Sequence, residues 1–506
     1  MHFKNKQVIE TPAFVPAFKY SPYQQNLFDW GIAHAHKKDA AVVNAVAGSG
    51  KSTSLRELTR IVANDYENIL SLAFNAHIAK DGREKNKLPN VKIITYHALG
   101  LSGIKKVYKP EIDTEGKKVE SLVKSRMGSN KYFLIPSIKR LTDLCKGCYI
   151  PQPSHSDLYE IALTYDIELY EDQSDNLKFE IFDATQKAII DSIDTASSII
   201  DFSDMIFIPL VNDLSLDQFD MILADEFQDT NIAQAMLIQK ARTGVMIGIG
   251  DSKQSIYAFR GADSTAMDKL VEEFGAEQLP LSISYRCPKV VGDLIRREFP
   301  EIKFETPDWA KDGNITEVGI EKSLDLMQEG DMVLSRINAN LPSIAFALIR
   351  KGKTARIMGR DIGKSLEALI KKQKVDSLPE LFTKLEDYRE KQYQKFLRLN
   401  RPDKIRQIDD QIETVSALSD GANSVWDVIT RCQTMFSDER GGVSLGTIHK
   451  NKGAEANNVF ITRPDLMPLP FVMQKGSAED KQQELNMRYV GLSRSSENLV
   501  FCHGDL

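Results

Sequence analysis

The sequence predicts an α/β protein built on parallel sheets, in two sheet-bearing halves that each carry a mainly helical insertion. Three observations point this way. Apolar runs short enough to be buried strands, such as Ala40-Ala41-Val42-Val43, precede segments of helical spacing such as Leu55 to Val62. Glycine-rich or acidic loops stand directly after these runs, where open α/β sheets keep their ligand-binding groups. The strand rhythm is broken twice, over 104–204 and over 364–440, by charged or helix-patterned stretches.

Composition bounds the rest. The chain has 506 residues, 42% hydrophobic and 27% charged, which suits a globular protein of two to four domains and excludes collagen-like, disordered and disulfide-rich classes. With a formal net charge of −6, any nucleic-acid binding has to come from local patches. Five cysteines are an odd, sparse set that suits a reducing compartment; Cys145-Lys-Gly-Cys148 has metal-like local spacing, but no second Cys or His pair accompanies it. No signal-type apolar core follows Met1 to Lys6 and no run approaches membrane-spanning length, so a cytoplasmic location is expected.

Taken in order, Ser21 and Pro22 mark the start of a helix that carries Gln24, whose amide offers the donor and acceptor that an adenine edge requires. The loop AVAGSGKS at 45–52 follows the first strand. Its glycines, Gly48 and Gly50, let backbone N–H groups turn inward around a phosphate, Lys51 brings a point charge, and the Ser52 hydroxyl can ligate Mg²⁺. This is a nucleoside triphosphate site by pattern, with Ala45 where the general pattern has Gly. Two further strands, Ile69 to Asn75 and Ile93 to His97, carry Phe74, Tyr96 and His97 at their ends, candidates for stacking on bases.

Residues 104–204 read as an inserted domain with one basic face, Lys105 to Lys146, ahead of an acidic part, Asp157 to Asp175. Backbone-phosphate contact and plain solvation both account for such a face. The sheet resumes at Phe219 to Ala224 and leads into DEFQDTN at 225–231. There Asp225 is the candidate Mg²⁺ holder and Glu226 the candidate base for an attacking water. Another strand, Val245 to Asp251, leads to Gln254, a candidate γ-phosphate sensor, and then to Tyr257, Phe259 and Arg260, candidate contacts to a strand of nucleic acid.

The set of motifs resembles the superfamily 1 DNA helicases of the UvrD/Rep/PcrA-like branch. In order the chain carries Gln24, AVAGSGKS at 45–52, AFN at 73–75, TYH at 95–97, DFSD at 201–204, DEFQDTN at 225–231, GDSKQSIYAFRGA at 250–262, SYR at 284–286, SLGTIHKNKGAEANNVFI at 444–461 and ELNMRYVGLSR at 484–494. The resemblance implies two RecA-like P-loop domains: a first motor domain at 1–103 and 205–287 with the insertion 104–204, and a second at 288–363 and 441–506 with the short insertion 364–440. It implies ATP and Mg²⁺ as cofactors, with ATP between the motor domains and single-stranded DNA or single/double-strand junctions as the partner.

By the same resemblance Gln24 reads adenine and Tyr285 stacks on it. Ala47, Gly48, Ser49, Gly50, Lys51 and Ser52 hold the nucleotide, with Ser52 and Asp225 on the metal and Glu226 on the catalytic water. Gln254, Arg286 and Arg494 look like γ-phosphate ligands, and Glu455 matches a residue near the ribose. Phe74, Tyr96, His97, Tyr257, Phe259, Arg260 and His449 match family strand contacts. The chain departs from the family pattern at Val46, where Gly is frequent, at Phe259, where Trp is frequent, and at Ser252-Lys253, where an acidic pair is common.

In the second half, Asp331 to Arg336 and Ala355 to Gly359 read as strands of a second α/β domain that resumes at Val443 and ends with Leu499-Val500-Phe501. Between them Leu381, Leu385, Tyr388, Phe396 and Leu399, a break at Pro402, and Ile405, Ile408, Ile412 and Val415 describe a helical hairpin, with charges from Asp376 to Lys395 that fit either a protein-partner surface or a solvated face. The family's corresponding insertion is much larger and contacts duplex DNA. The resemblance therefore implies 3′→5′ translocation with ATP hydrolysis more securely than strong unwinding. The rival is an ATP-gated DNA sensor or partner-recruiting subunit; a metabolic P-loop kinase has no use for the stretch from Gln254 to Arg260.

Overall fold

The computed structural model describes residues 19–165, 167–170, 175–256, 266–398, 402–437 and 441–506. They fall into two compact units divided between Ser282 and Ile283. Tyr257, Phe259 and Arg260 lie outside the described residues.

The first unit contains β1 (Ala40–Ala45), β2 (Ile69–Ala73), β3 (Val91–Thr95), β4 (Glu111–Ile112), β5 (Ile199–Ile200), β6 (Phe219–Ala224), β7 (Arg242–Gly250) and β8 (Glu277–Leu281). Six of these form one sheet in the order β3-β2-β6-β7-β1-β8, every neighbouring pair parallel. Ala40 and Val42 of β1 feed one buried cluster while Ala41, Val43 and Ala45 feed the other, so the sheet is covered on both faces, as a Val- and Ala-rich parallel strand requires. Leu55 and Leu58 of the helix Lys51–Ile61 close one face; Leu99, Ala233 and Leu237 close the opposite one. Because all strands run the same way, the loops after β1, β2, β3, β6 and β7 emerge along a single edge, and the described residues of AVAGSGKS, AFN, TYH, DEFQDTN and GDSKQSI lie at or just beyond it, whereas DFSD at 201–204 opens the helix Phe202–Val211.

Between β3 and β6, the helices Lys118–Lys124, Ile135–Gly147, His155–Thr164 and Asp175–Asp194 surround a core of their own that includes Val119, Leu141, Phe182 and Ile189. That core runs into Ile104 and Phe207, on the two helices, Tyr96–Val107 and Phe202–Val211, that leave and rejoin the sheet. A buried knot of charge ties the junction: Asp204 accepts from Lys118 Nζ at 2.6 Å and from Lys146 Nζ at 2.7 Å.

The second unit holds β9 (Asn314–Gly319), β10 (Met332–Ser335), β11 (Ala355–Met358), β12 (Phe436–Ser437), β13 (Val443–Thr447), β14 (Ala456–Thr462) and β15 (Ser495–His503) in one parallel sheet of order β12-β11-β13-β10-β14-β15-β9. The hairpin read from the sequence is present as helices Leu378–Arg398 and Pro402–Ser419, with Pro402 at the first helical position, where its missing N–H costs nothing. Its inner residues Leu381, Leu385, Val415 and Leu418 belong to the same buried cluster as Val333, Leu341 and Val443, so the hairpin shares the core of the sheet and does not close around a separate one. Asp410 of the hairpin also accepts from the backbone N–H groups of Asn338 at 3.2 Å and Ala339 at 2.6 Å, at the start of the helix Asn340–Arg350. Among the described residues no helix is long and apolar enough to cross a membrane.

Candidate active site

The loop after β1 turns on two glycines in the left-handed region, Gly48 at φ 74° and Gly50 at φ 78°, a conformation that side chains resist. It delivers Lys51 and Ser52 to the first turn of their helix, where free N–H groups and the helix dipole favour an anion. Ser49 is 2% exposed and its hydroxyl meets no hydrogen-bond partner among the described residues. An orphaned buried hydroxyl in a glycine loop that runs into a helix N-terminus fits a phosphate oxygen.

The loop after β6 meets this one. Ser52 Oγ donates to Asp225 Oδ2 at 2.9 Å, and Lys51 Nζ lies 3.3 Å from Glu226 Oε2. Burial lowers the affinity of Lys51 for its proton, yet Glu226, Asp251 and Asp225 together outweigh that and leave it raised. Asp225 is pushed up to about 6, by burial first and by the Glu226 charge second. Glu226 itself sits at φ 51°, a strained setting for a non-glycine residue of the kind found at functional sites, and its N–H donates to Asp225 Oδ1 at 2.9 Å. The hard oxygen pair of Ser52 and Asp225 fits a divalent cation that keeps most of its water.

Two residues to which the sequence assigns no task complete the arrangement. Gln228 donates from Nε2 to Glu226 Oε2 at 2.7 Å and accepts at Oε1 from the Asp251 N–H at 2.9 Å. Asp251 in turn accepts from Gln254 Nε2 at 2.6 Å. The candidate base and the candidate γ-phosphate sensor are thus ends of one chain of hydrogen bonds across adjacent strands. The signal was present in the sequence: Gln228 lies inside DEFQDTN, and Gly250 is small where a Cβ would stand 2.4 Å from Gln228 Oε1.

Gln24 is placed by its own helix start. Its Oε1 accepts from the Ser21 N–H at 3.0 Å in a capping box, while Nε2 donates to Ser54 Oγ at 3.1 Å and Ser54 Oγ donates to the Gly50 carbonyl at 3.0 Å. The amide is therefore tied to the phosphate loop through Ser54.

In the second unit, three predicted residues far apart in sequence come together. Arg286 donates to Glu455 Oε2 at 2.6 Å and to the Ser493 carbonyl at 3.3 Å, and Arg494 donates to Ser493 Oγ at 3.2 Å. Arg494 is 1% exposed, with further bonds to the carbonyls of Val490 and Ala454. Glu455 and Arg494 directly precede β14 and β15, at the amino edge of the sheet. Tyr285 lies beside Arg286 on the same segment.

The candidate strand contacts divide. Phe74 is half-buried just past β2, and His97, on the first turn of its helix, packs edge-on against the exposed ring of Phe202. Tyr96 is different from the expectation of a stacking ring: it is 3% exposed, and its hydroxyl is 3.0 Å from Thr230 Oγ1, because the first turn of its helix directs it into the core with Leu99. His449 follows β13 at the carboxyl edge of the second sheet, and burial with the Arg336, Lys452 and Lys450 charges pushes it down to about 3. Arg336, which the sequence reading passed over, follows the neighbouring β10 and is fixed by Glu484, with Nη2 to Oε1 at 2.5 Å. Cys145 is a buried free thiol pushed up to about 12, and among the described residues no cluster of three or more His, Cys, Asp or Glu stands ready for a metal.

Parallel sheets, a glycine loop leading into a helix, and a carboxylate pair beside that loop define an α/β ATPase of the P-loop class. Residues 29–275 match the UvrD/REP helicase N-terminal domain and residues 173–503 the UvrD-like helicase C-terminal domain, so the chain belongs to the UvrD-like superfamily 1 DNA helicases, an ATP-hydrolysing family. Similar proteins include DNA helicase II of Haemophilus influenzae, 28% identical over 34% of this chain and 25% of that protein. The ATP-dependent DNA helicase Rep of Buchnera aphidicola is 26% identical over 46% of this chain and 36% of that protein. The F-box DNA helicase protein 1 of Schizosaccharomyces pombe is 22% identical over 97% of this chain and 58% of that protein. The chain therefore spans less than two thirds of each of these relatives.

Proposed function

We propose that this chain is an ATP- and Mg²⁺-dependent translocase on single-stranded DNA, moving 3′→5′ and meeting single/double-strand junctions, with two RecA-like motor domains at 1–103 with 205–287 and at 288–363 with 441–506. Lys51 and the N–H groups from Ala47 to Ser52 bind the phosphates of the substrate ATP. Ser52 and Asp225 hold Mg²⁺, whose charge would offset that of the phosphates. Glu226 takes the proton of the attacking water, and Gln254, Arg286 and Arg494 steady the negative charge on the transferring group. Gln24 and Tyr285 take the adenine and Glu455 the ribose.

Phe74, His97, Tyr257, Phe259, Arg260 and His449 form the strand-binding set, in which aromatic faces accept any base. Tyr96 is left out of it, since its ring is in the core. The observation that carries the reading is the bonded path from Glu226 through Gln228 and Asp251 to Gln254, three residues before Tyr257, because it joins the hydrolytic group to the segment expected to touch DNA. The test is single-strand-stimulated ATPase of Glu226→Gln, expected to fall by about 10²-fold or more; wild-type turnover would defeat the assignment.

One observation favours a second reading, an ATP-gated DNA sensor with little unwinding of its own and a protein partner on the outer face of the hairpin. The hairpin is small and shares the core of the sheet. Translocation along single strands beside strand displacement on 3′-tailed duplex separates the two.

A further inference from the structure

Trp309 is 71% exposed, an unusual setting for so large an apolar side chain, and its ring is stacked on Tyr285 with centroids 6.2 Å apart and planes 16° from parallel. Backbone bonds hold the pair in register. Ser284 N–H donates to the Glu305 carbonyl at 2.8 Å on one side, and Lys289 N–H to the Lys311 carbonyl at 2.9 Å on the other, so the segment bearing Tyr285 and the loop bearing Trp309 are stitched together on both flanks of the rings. The turn at Trp309 is closed by Ala310 N–H on the Pro307 carbonyl at 2.9 Å. One face of Trp309 is taken by Tyr285, and the main-chain bonds on both flanks hold the two rings as a preorganised pair.

We propose that Trp309 is a positioning residue for base recognition: it backs Tyr285 so that the nucleobase of the bound nucleotide, on the other face of that ring, completes a stack of three ring systems, with purines favoured over pyrimidines because they cover the Tyr285 ring more fully. The inference rests on the reading of Tyr285 as the adenine-stacking residue. Offset ring stacks at this spacing are attractive beyond the area they bury. Locking the Tyr285 ring by stacking also removes rotational freedom that a lone surface tyrosine would lose on binding.

The experiment compares Trp309→Ala, Trp309→Phe and Tyr285→Ala in the full chain. Trp309→Ala is expected to raise KM for ATP about fivefold, to hold kcat at saturating single-stranded DNA, and to narrow the preference for ATP over CTP; Trp309→Phe restores part of the loss. The wild-type tryptophan emission is expected to change with ADP and not with inorganic tripolyphosphate, and the difference from Trp309→Phe isolates this ring from Trp30 and Trp426. KM unmoved in Trp309→Ala but raised in Tyr285→Ala overturns the role of Trp309 alone. KM unmoved in both overturns the Tyr285 assignment and this proposal with it, and an emission change that tripolyphosphate reproduces overturns the base contact.

Discussion

Gln228 holds the Glu226 carboxylate with a 2.7 Å hydrogen bond, and its other amide atom accepts from the backbone of Asp251 at 2.9 Å, so one buried side chain sets the position of the candidate base against the loop after β7. A base displaced by about 1 Å loses on the order of 10²-fold in rate. Gln228→Ala should therefore lower kcat of the DNA-stimulated ATPase by about that factor with KM for ATP little changed. Gly250→Ala should do the same with Gln228 and Glu226 both retained, because its Cβ would lie 2.4 Å from Gln228 Oε1 and displace that amide. Steady-state kinetics at saturating single-stranded DNA check both, and full kcat in either variant would sever the link.

Asp204 neutralises two buried ammonium groups at once, Lys118 and Lys146, and neither lysine has water to turn to. Burial disfavours the charge on Lys146, but Asp204 and Asp201 more than compensate and keep it raised. Removing the carboxylate in Asp204→Ala leaves Lys118 with no anionic partner among the described residues and Lys146 with the more distant Asp201, for a loss of about 3–5 kcal/mol in chemical denaturation. Asp213→Ala, which breaks an exposed pair with Lys240, should leave the denaturation midpoint almost where it was.

What the sequence shows plainly is what is local. The glycine loop, the Asp225-Glu226 pair and Gln254 each sit within a few residues of the strand that positions them, and parallel pairing then brings them to one edge. Convergence over distance is another matter. Arg286, Glu455 and Arg494 meet around Ser493 only because the chain crosses the sheet between them, and without the resemblance nothing in their neighbourhoods says so. Tyr96 shows the opposite failure: a polar-flanked aromatic at a strand end reads as a ligand face, but a helix begins on it and turns the ring into the core. The hairpin's periodicity marks an apolar stripe; that the stripe meets the sheet's own core is decided by packing with Val333 and Leu341.

Asp410 links that hairpin to the candidate DNA edge, since it caps the turn of Asn338 and Ala339 just beyond Arg336. Asp410→Ala removes a helix cap worth about 1 kcal/mol and frees the loop that carries Arg336. Single-stranded DNA should then bind more weakly, by a few-fold in fluorescence anisotropy, while nucleotide affinity is retained. Asp410→Asn, which keeps an accepting oxygen, should lie close to the wild type in both measurements.

His449 carries the last prediction, on pH. Burial and the charges of Arg336, Lys452 and Lys450 hold it down to about 3, far below the ordinary 6.5. Between those two values the unfolded chain binds the proton and the folded chain does not, so this group's effect on stability is nil above pH 6.5 and becomes increasingly unfavourable as the pH falls from 6.5 towards 3. His449→Gln should flatten the fall of Tm between pH 6.5 and pH 4, most visibly at the acid end, and an unaltered slope would contradict the neutral ring. Neutrality also sets the kind of DNA contact proposed for it. An uncharged imidazole releases no counterion from the backbone, so the salt dependence of single-strand affinity in His449→Gln should match the wild type even where the affinity itself drops.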